Sequence, residues 1–433
     1  MKIQGKTAAD IFECVRALVQ TQRLQAGQAL PPVRELAEQL GLNRNTVAAA
    51  YRRLATAGIA ITQGRLGTVI RAPAPPGEEE GSQGDTALTD LADGNPNPAW
   101  LPDLAQTWRS IAYQPRLYGA PTVNAGLAQF MMQWCRPDCP PEFEVDLTHG
   151  AVDAIERLLA AHLRHGDKVA VEDPCFLASI NLLRNSGWQS VGVGMDEQGM
   201  LPEALQAALN RGVQALILTP RAHNPTGASL SRRRARALSA ILEKHPHVLV
   251  IVDDHFALLS GQPYHSVIPR QASRWALVRS FSKALGPDVR VAAVASDAAT
   301  SRLLRTRLSA GSNWVSHFLQ DAIEFTITQP ETASLMQRAR SAYGQCRQGL
   351  ESALAAQDIA CWSQGDGLNL WLPLPSSTDD QAVALAMARQ GWLVRPGSVF
   401  AVQQAVSGLR ITVSTLDEDL SQALAADLRQ CLG

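Results

Sequence analysis

Lys283, in the stretch SFSKALGPDVR, follows directly on the strand-length apolar run Ala276 to Ser280. Ligands collect at the carboxyl ends of strands in open α/β sheets, and an amine whose pKa is lowered there can condense with an aldehyde. Most lysines near strand ends are simply solvated, so the neighbours carry the argument. Ser280, Ser282 and Arg290 are placed to bind a dianionic phosphate from one side. The turn Thr148-His149-Gly150-Ala151-Val152 opens a helix whose first N–H groups can meet the same anion from another. Asp253, closing the run Val248 to Val252, can pair with a protonated pyridine nitrogen; Asp254 competes for that role, and Asp253 is the preferred candidate.

A second chemistry is legible near the N-terminus. A helix, a tight turn at Gly41 and a second helix beginning with Arg44, Asn45 and Thr46 form a helix-turn-helix, which presents the start of its second helix to base edges in the major groove. Arg34, Arg52, Arg53 and Arg65 are spaced to meet phosphates, which supply affinity and salt dependence but no sequence choice. Charge agrees with this placement. The chain of 433 residues has a net charge of -1, yet residues 1–71 carry ten Lys and Arg against four acids, a net of +6. The rest carries 29 against 36, a net of -7, so a polyanionic partner is expected for the first piece only.

Several elements must position these groups. Thr7 with Asp10 makes a capping-box-like start, and Ile11, Val15, Leu18 and Val19 follow at helical spacing. Pro31-Pro32 opens a second helix, Val33 to Leu40, and Asn43 caps a third with Val47, Ala50, Tyr51 and Leu54 facing inward. Ile59 to Thr62 and Thr68 to Arg71 make a wing-shaped hairpin around Gln63-Gly64-Arg65. The domain therefore spans 1–71. Residues 72–87, APAPPGEEEGSQGDTA, have nothing to bury and are expected to form a solvated linker. Beyond it, from 88 to 433, seven apolar runs alternate with amphipathic helices, which predicts an α/β fold with a mostly parallel seven-stranded sheet. From about Ser316 the pattern shifts to long helices and few strands, a smaller C-terminal subdomain joined by the N-terminal arm.

Composition narrows the class. Hydrophobic residues at 46% and charged residues at 18% fit a packed globular chain. Apolar runs are far shorter than the roughly 18 residues of a membrane span, no leader follows Met1, and seven scattered cysteines suit reduced thiols, so a cytoplasmic protein with no membrane partner is expected. Cys135 and Cys139 lack a second ligand pair and no metal site is expected. His162, His165 and His223 read as structural or loop residues, and Trp188, Trp371 and Trp392 as core.

The stretch LPPVRELAEQLGLNRNTVAAAYRRLATAGI, followed by TQGRLGTVI, resembles the winged helix of the GntR family of bacterial repressors over nearly all of residues 5–71. The resemblance implies DNA contacts at Arg34, Arg44, Asn45, Thr46, Gln63 and Gly64; the family often carries Ser where Pro32 stands. HNPTG, the strand-end Asp253 and SFSK with its downstream arginine resemble the fold type I aminotransferases, which bind pyridoxal 5'-phosphate (PLP), from about Leu88 to Leu432. By that resemblance Lys283 forms the internal aldimine, Asp253 meets the pyridine nitrogen, Asn224 binds the phenolic oxygen and Phe176 stacks on the ring. Gly150, Ala151, Val152, Ser280, Ser282 and Arg290 hold the phosphate, and Tyr118 reaches across from a second subunit of a homodimer. Arg410 grips an effector carboxylate. Three departures stand out: His255 lies where the family usually has a tyrosine, so either His255 substitutes or that contact is lost; Asp254 stands beside Asp253 as a competitor for the pyridine; and Val152-Asp153 stand where relatives often carry Gln.

A winged helix fused to an aminotransferase-like domain is the architecture of the MocR regulators. The resemblance implies a PLP-responsive transcription factor repressing a pyridoxal kinase gene of vitamin B6 salvage, its aminotransferase-like domain used as sensor and dimeriser. The residues alone also admit a catalytically active aminotransferase with an accessory DNA-binding domain, or a repressor whose second domain only dimerises.

Overall fold

The computed structural model describes residues 2–62, 67–71, 77–81 and 86–432. The chain divides into two compact units, one of Met1–Gly77 with the short stretch Arg184–Trp188, the other of Glu78–Leu183 and Gln189–Gly433.

In the first unit, helix α1 (Ala8–Gln20) starts on a full capping box. Thr7 Oγ1 accepts from the Asp10 N–H at 3.2 Å, and the Asp10 carboxylate accepts from the Thr7 N–H at 2.9 Å. Helix α2 (Val33–Leu40) ends at Gly41, whose φ of 66° is left-handed, and α3 (Arg44–Thr56) begins where the Asn43 side chain accepts from the Asn45 N–H at 2.8 Å. Ile11, Val15, Leu36, Val47, Ala50 and Leu54 make the shared core, each at most 1% exposed. Strands β1 (Ala60–Thr62) and β2 (Thr68–Ile70) pair antiparallel, Ala60 opposite Ile70, as the hairpin pattern predicts. The wing tip, with Gln63, Gly64 and Arg65, lies outside the described residues.

The second unit opens with β3 (Thr89–Asp90), α4 (Leu104–Ser110) and α5 (Ala125–Cys135). Strands and helices then alternate: β4 (Glu144–Thr148), α6 (Ala151–His162), β5 (Lys168–Asp173), α7 (Leu177–Ser186) and β6 (Gln189–Asp196). The short β7 (Gly199–Met200) precedes α8 (Pro202–Asn210), β8 (Ala215–Leu218), α9 (Arg232–Leu242) and β9 (Leu249–Asp253). Next come β10 (Trp275–Ser280), α10 (Ser282–Leu285), β11 (Ala292–Ser296) and α11 (Ala298–Ser309).

All seven apolar runs of the sequence become strands, but among the described residues the sheet has eight, in the order β4-β11-β10-β9-β8-β5-β6-β7. It is mixed: β11 runs antiparallel to both β10 and β4, and the two-residue β7 turns back along β6. A parallel crossover needs a dozen or more residues, usually with a full helix. The link from Ser280 to Ala292 holds only the four-residue α10 and a 3-10 turn, so the chain reverses instead.

Two long helices follow, α12 (His317–Thr328) and α13 (Pro330–Ala356), then β12 (Asn369–Pro373), α14 (Asp380–Arg389), β13 (Trp392–Leu393), β14 (Arg395–Pro396), β15 (Gly408–Thr412) and α15 (Glu418–Leu432). Strands β12, β15 and β14 form a second small sheet, and β3 of the N-terminal arm pairs with β13. Leu91 is buried among Leu350, Leu354, Leu370, Leu409 and Ile411, whereas Ile323 of α12 packs in the larger half with Leu127 and Phe281. The smaller core thus draws on the arm and on the far end of α13. No helix among the described residues is long and apolar enough to cross a membrane. All seven cysteines are free thiols, Trp188, Trp371 and Trp392 are buried, and His162 lies 3.3 Å from Arg274 Nη2.

Candidate functional site

The carboxyl ends of β4, β5, β8, β9 and β10 open into one cavity of about 210 Å³. Gly150, Ala151, Val152, Phe176, Asn224, Asp253, His255, Ser280, Ser282, Lys283 and Arg290 all line it, so eleven of the residues chosen for their chemistry meet in one place. Between β5 and α7, and again in the HNPTG loop, the chain turns through cis bonds, Asp173-Pro174 and Asn224-Pro225.

The two neighbouring aspartates have different surroundings. Asp254 is fully buried and takes a bidentate pair from Arg221, Nε to Oδ1 at 2.8 Å and Nη2 to Oδ2 at 2.9 Å, with Arg279 Nε at 3.0 Å from Oδ2. Asp253 lines the cavity, and its Oδ1 has no hydrogen-bond partner among the described residues. Burial, helped by the charges of Asp254 and Glu172, pushes the Asp253 carboxyl up to about 7. A buried, unpartnered acid facing a cavity suits a cationic or protonated ring nitrogen of a ligand. Asp254 is already neutralised and is not free for that role.

Lys283 follows the end of β10 in the short α10. Its Nζ donates to the Gly94 carbonyl at 2.8 Å, and burial lowers its pKa below the ordinary lysine value. Gly150 also lines the cavity and caps α6 with φ 101° and no side-chain cap, which leaves the first N–H groups of a twelve-residue helix open to an anion. Asp153 does not compete for that space: its carboxylate accepts from the His149 N–H at 3.1 Å and from Arg157 Nε at 2.8 Å. His255 faces the same cavity, and burial together with nearby Lys283 pushes its pKa down to about 3, so it is a neutral imidazole.

Arg410 is fully buried in β15 over the Phe400 ring, 5.1 Å from its centroid. One Nη2 N–H goes to the Ala92 carbonyl. Nη1 meets Asn224 Oδ1 at 3.0 Å and both carboxylate oxygens of Glu80, at 3.0 and 2.7 Å. Asn224 Nδ2 donates back to Glu80 Oε1 at 3.1 Å. Glu80 therefore belongs to the site, and residues 78–81 are not the solvated linker expected of their composition. Three consecutive glutamates in a Pro- and Gly-rich stretch gave no sign of this, since only the fold brings Arg410 to them. Asn95, Thr219 and Pro287 also line the cavity unforeseen.

Tyr118 does not line this cavity; it is 92% exposed, its ring 5.7 Å from that of Trp314. His223, read as a loop residue, is buried, with Nε2 3.3 Å from Glu172 and Nδ1 2.8 Å from Thr226 Oγ1. In the first unit Arg34, Arg44, Asn45, Arg52 and Arg53 are exposed and Thr46 is half-buried, the start of α3 being open to solvent. Arg53 also covers the Phe12 ring at 5.0 Å.

Comparison with known proteins assigns both units. The family of bacterial regulatory proteins, gntR family, matches residues 7–70, and aminotransferase class I and II matches residues 88–428. The vitamin B6 salvage pathway transcriptional repressor PtsJ of Salmonella typhimurium is 52% identical over 99% of both chains. The pyridoxine biosynthesis regulator PdxR of Corynebacterium glutamicum is 28% identical over 79% of this chain and 78% of its own. Among solved structures, Pyrococcus horikoshii kynurenine aminotransferase superposes with a TM-score of 0.72 at 20% identity, covering 80% of this chain and 91% of that one, a likeness of fold.

Proposed function

From the premise that the chain belongs to the GntR family of bacterial regulators, with a class I and II aminotransferase domain fused to its winged helix, we propose that it is a transcriptional repressor of vitamin B6 salvage that senses PLP. The observation that carries the reading is the cavity itself: the unpartnered Asp253 Oδ1, the Lys283 amine and the open N-terminus of α6 line one space. That donor set fits a phosphorylated pyridine aldehyde. Bound there, the group supplies an aldehyde and an electron-withdrawing ring. Lys283 would hold the aldehyde carbon, Asp253 would face the ring nitrogen and Phe176 would cover the ring. Gly150, Ala151 and Val152, with Ser280, Ser282 and Arg290, take the phosphate, while Asn224 and neutral His255 meet the phenolic oxygen.

The winged helix binds operator DNA through Arg44, Asn45 and Thr46 at base edges, with Arg34, Arg52, Arg53 and the wing residues Gln63, Gly64 and Arg65 at the backbone. The chain acts in the cytoplasm as a homodimer. Support for self-association comes from the exposed apolar side chains Leu117 (81%), Tyr118 (92%) and Phe318 (48%), the last stacked on Trp108. Sensing rather than turnover is supported by Arg410, the carboxylate-binding group of the resemblance, which is engaged by the chain's own Glu80.

The test pairs operator footprinting, with and without PLP, with an assay for amino-group transfer. Protein mixed with PLP is expected to gain a visible absorbance that Lys283→Ala abolishes, and the footprint of the variant is expected to ignore PLP. Footprints indifferent to PLP in the parent chain, alongside steady multiple turnover, would reverse the reading in favour of an enzyme.

A further inference from the structure

Residues 78–81 are tied to the aminotransferase-like domain at every position. The Glu78 carbonyl accepts from Asn181 Nδ2 at 2.7 Å. Arg395 spans the segment, Nη1 to the Glu79 carbonyl at 2.7 Å and Nη2 to the Gly81 carbonyl at 2.8 Å. The Gly81 N–H donates to the Asp93 carbonyl at 3.1 Å. Of the three consecutive glutamates, Glu78 and Glu79 are exposed, whereas Glu80 turns inward to Arg410 and Asn224. Gly94 touches both groups: its carbonyl accepts from Lys283 Nζ, and a Cβ built on it would stand 3.0 Å from Glu80 Oε2 and 3.5 Å from both Arg410 Nη atoms. Glu80 and Lys283 line the same cavity.

We propose that Glu80 is a tethered competitor for the carboxylate pocket at Arg410, and that a small free carboxylic acid displaces it and releases residues 78–81 from the domain. The Arg410 Nη1 and Asn224 groups that bind Glu80 are already engaged by its carboxylate, so a second carboxylate needs the same donors. The ligand class is an acid of a few carbons, short enough to sit between Arg410 and Lys283. A tethered group acts at an effective concentration of about millimolar order, so a displacing acid must either be abundant or gain further contacts beside Lys283. The consequence for DNA binding rests on the repressor reading above; the exchange at Arg410 does not.

Propionate is the glutamate side chain cut free at Cβ, and serves as the probe. Full-length protein is digested with a glutamyl endopeptidase, and fragments ending at Glu78 or Glu79 are followed by mass. Glu80→Gln, which keeps both cleavage positions, is expected to be cut there roughly tenfold faster than the parent chain, because cleavage tracks the population of the open form. Propionate, titrated to about 100 mM against equal chloride to exceed the effective concentration of the tether, is expected to raise the parent rate toward that of Glu80→Gln and to leave the variant unchanged. Equal rates in the two chains, or a parent chain indifferent to propionate, would overturn the proposal. The PLP absorbance of both chains is recorded in parallel. Its absence, with the Glu80-dependent cleavage intact, would refute the cofactor reading and leave this one standing.

Discussion

Asp253 and Asp254 are adjacent, both acidic and both at the end of one strand, yet their substitution is expected to have opposite effects. Asp253 has its folded pKa raised to about 7 from an unfolded value near 3.9, so the folded chain binds the extra proton and cofactor-free stability falls as pH rises between those values. Asp253→Asn removes that penalty. It is expected to stabilise the cofactor-free domain by roughly 2–4 kcal/mol at pH 8 and by nothing below about pH 4, read from urea unfolding at the two pH values, while weakening PLP binding. Asp254→Asn leaves Arg221 buried without its counter-charge and Arg279 with Asp138 alone, and is expected to cost about 3–5 kcal/mol in the same assay. Sequence could nominate the pair but only weigh one against the other. Arg221 and Arg279 stand 33 and 25 positions away, and nothing in their local patterns says that they converge.

Local sequence marks elements more clearly than it marks their directions. Capping residues and apolar spacing carry short-range information, so Thr7, Gly41 and Asn43 mark the helix ends they announce. At Gly41 the left-handed φ of 66° lies in open space, so Gly41→Ala meets backbone strain and no clash. It is expected to cost the winged helix about 1 kcal/mol, measured as a lower urea midpoint for that domain. Strand direction is different. The run that became β11 has the same composition whichever way it points, and its reversal follows from the short link behind it. Composition misses the hold on residues 78–81 for a related reason: it describes what a segment can bury by itself, and these four are held through carbonyls and one acid by partners elsewhere in the chain.

At the scale of the whole molecule, the split of charge into +6 and -7 at the linker places the polyanion-binding surface on the smaller piece. Arg34→Ala or Arg52→Ala is expected to flatten the dependence of log Kd on log salt by about 0.9 for each phosphate no longer neutralised, and to do so on any duplex. Arg44→Ala is expected to lose about 1–3 kcal/mol on operator and little on random DNA. Fluorescence anisotropy at several salt concentrations separates the two. Arg53→Ala combines a phosphate effect with loss of its cover on Phe12, so it is expected to lower the stability of the winged helix as well.

The hold on residues 78–81 also sets the length of chain that joins the two pieces. Counted from Arg71, at the end of the wing hairpin, the first anchored residue is Glu78 while the segment is held, seven positions on; once it is released, the next paired strand begins at Thr89, eighteen positions on. At no more than about 3.5 Å per residue, the maximum span grows from about 25 Å to about 60 Å. The volume within reach grows as the cube, by roughly tenfold or more. Half-sites one helical turn apart are separated by about 34 Å, a distance between the two limits. On the exchange proposed at Arg410, the replacement of one carboxylate by another would change the length of chain available to a winged helix, with no change in its own fold.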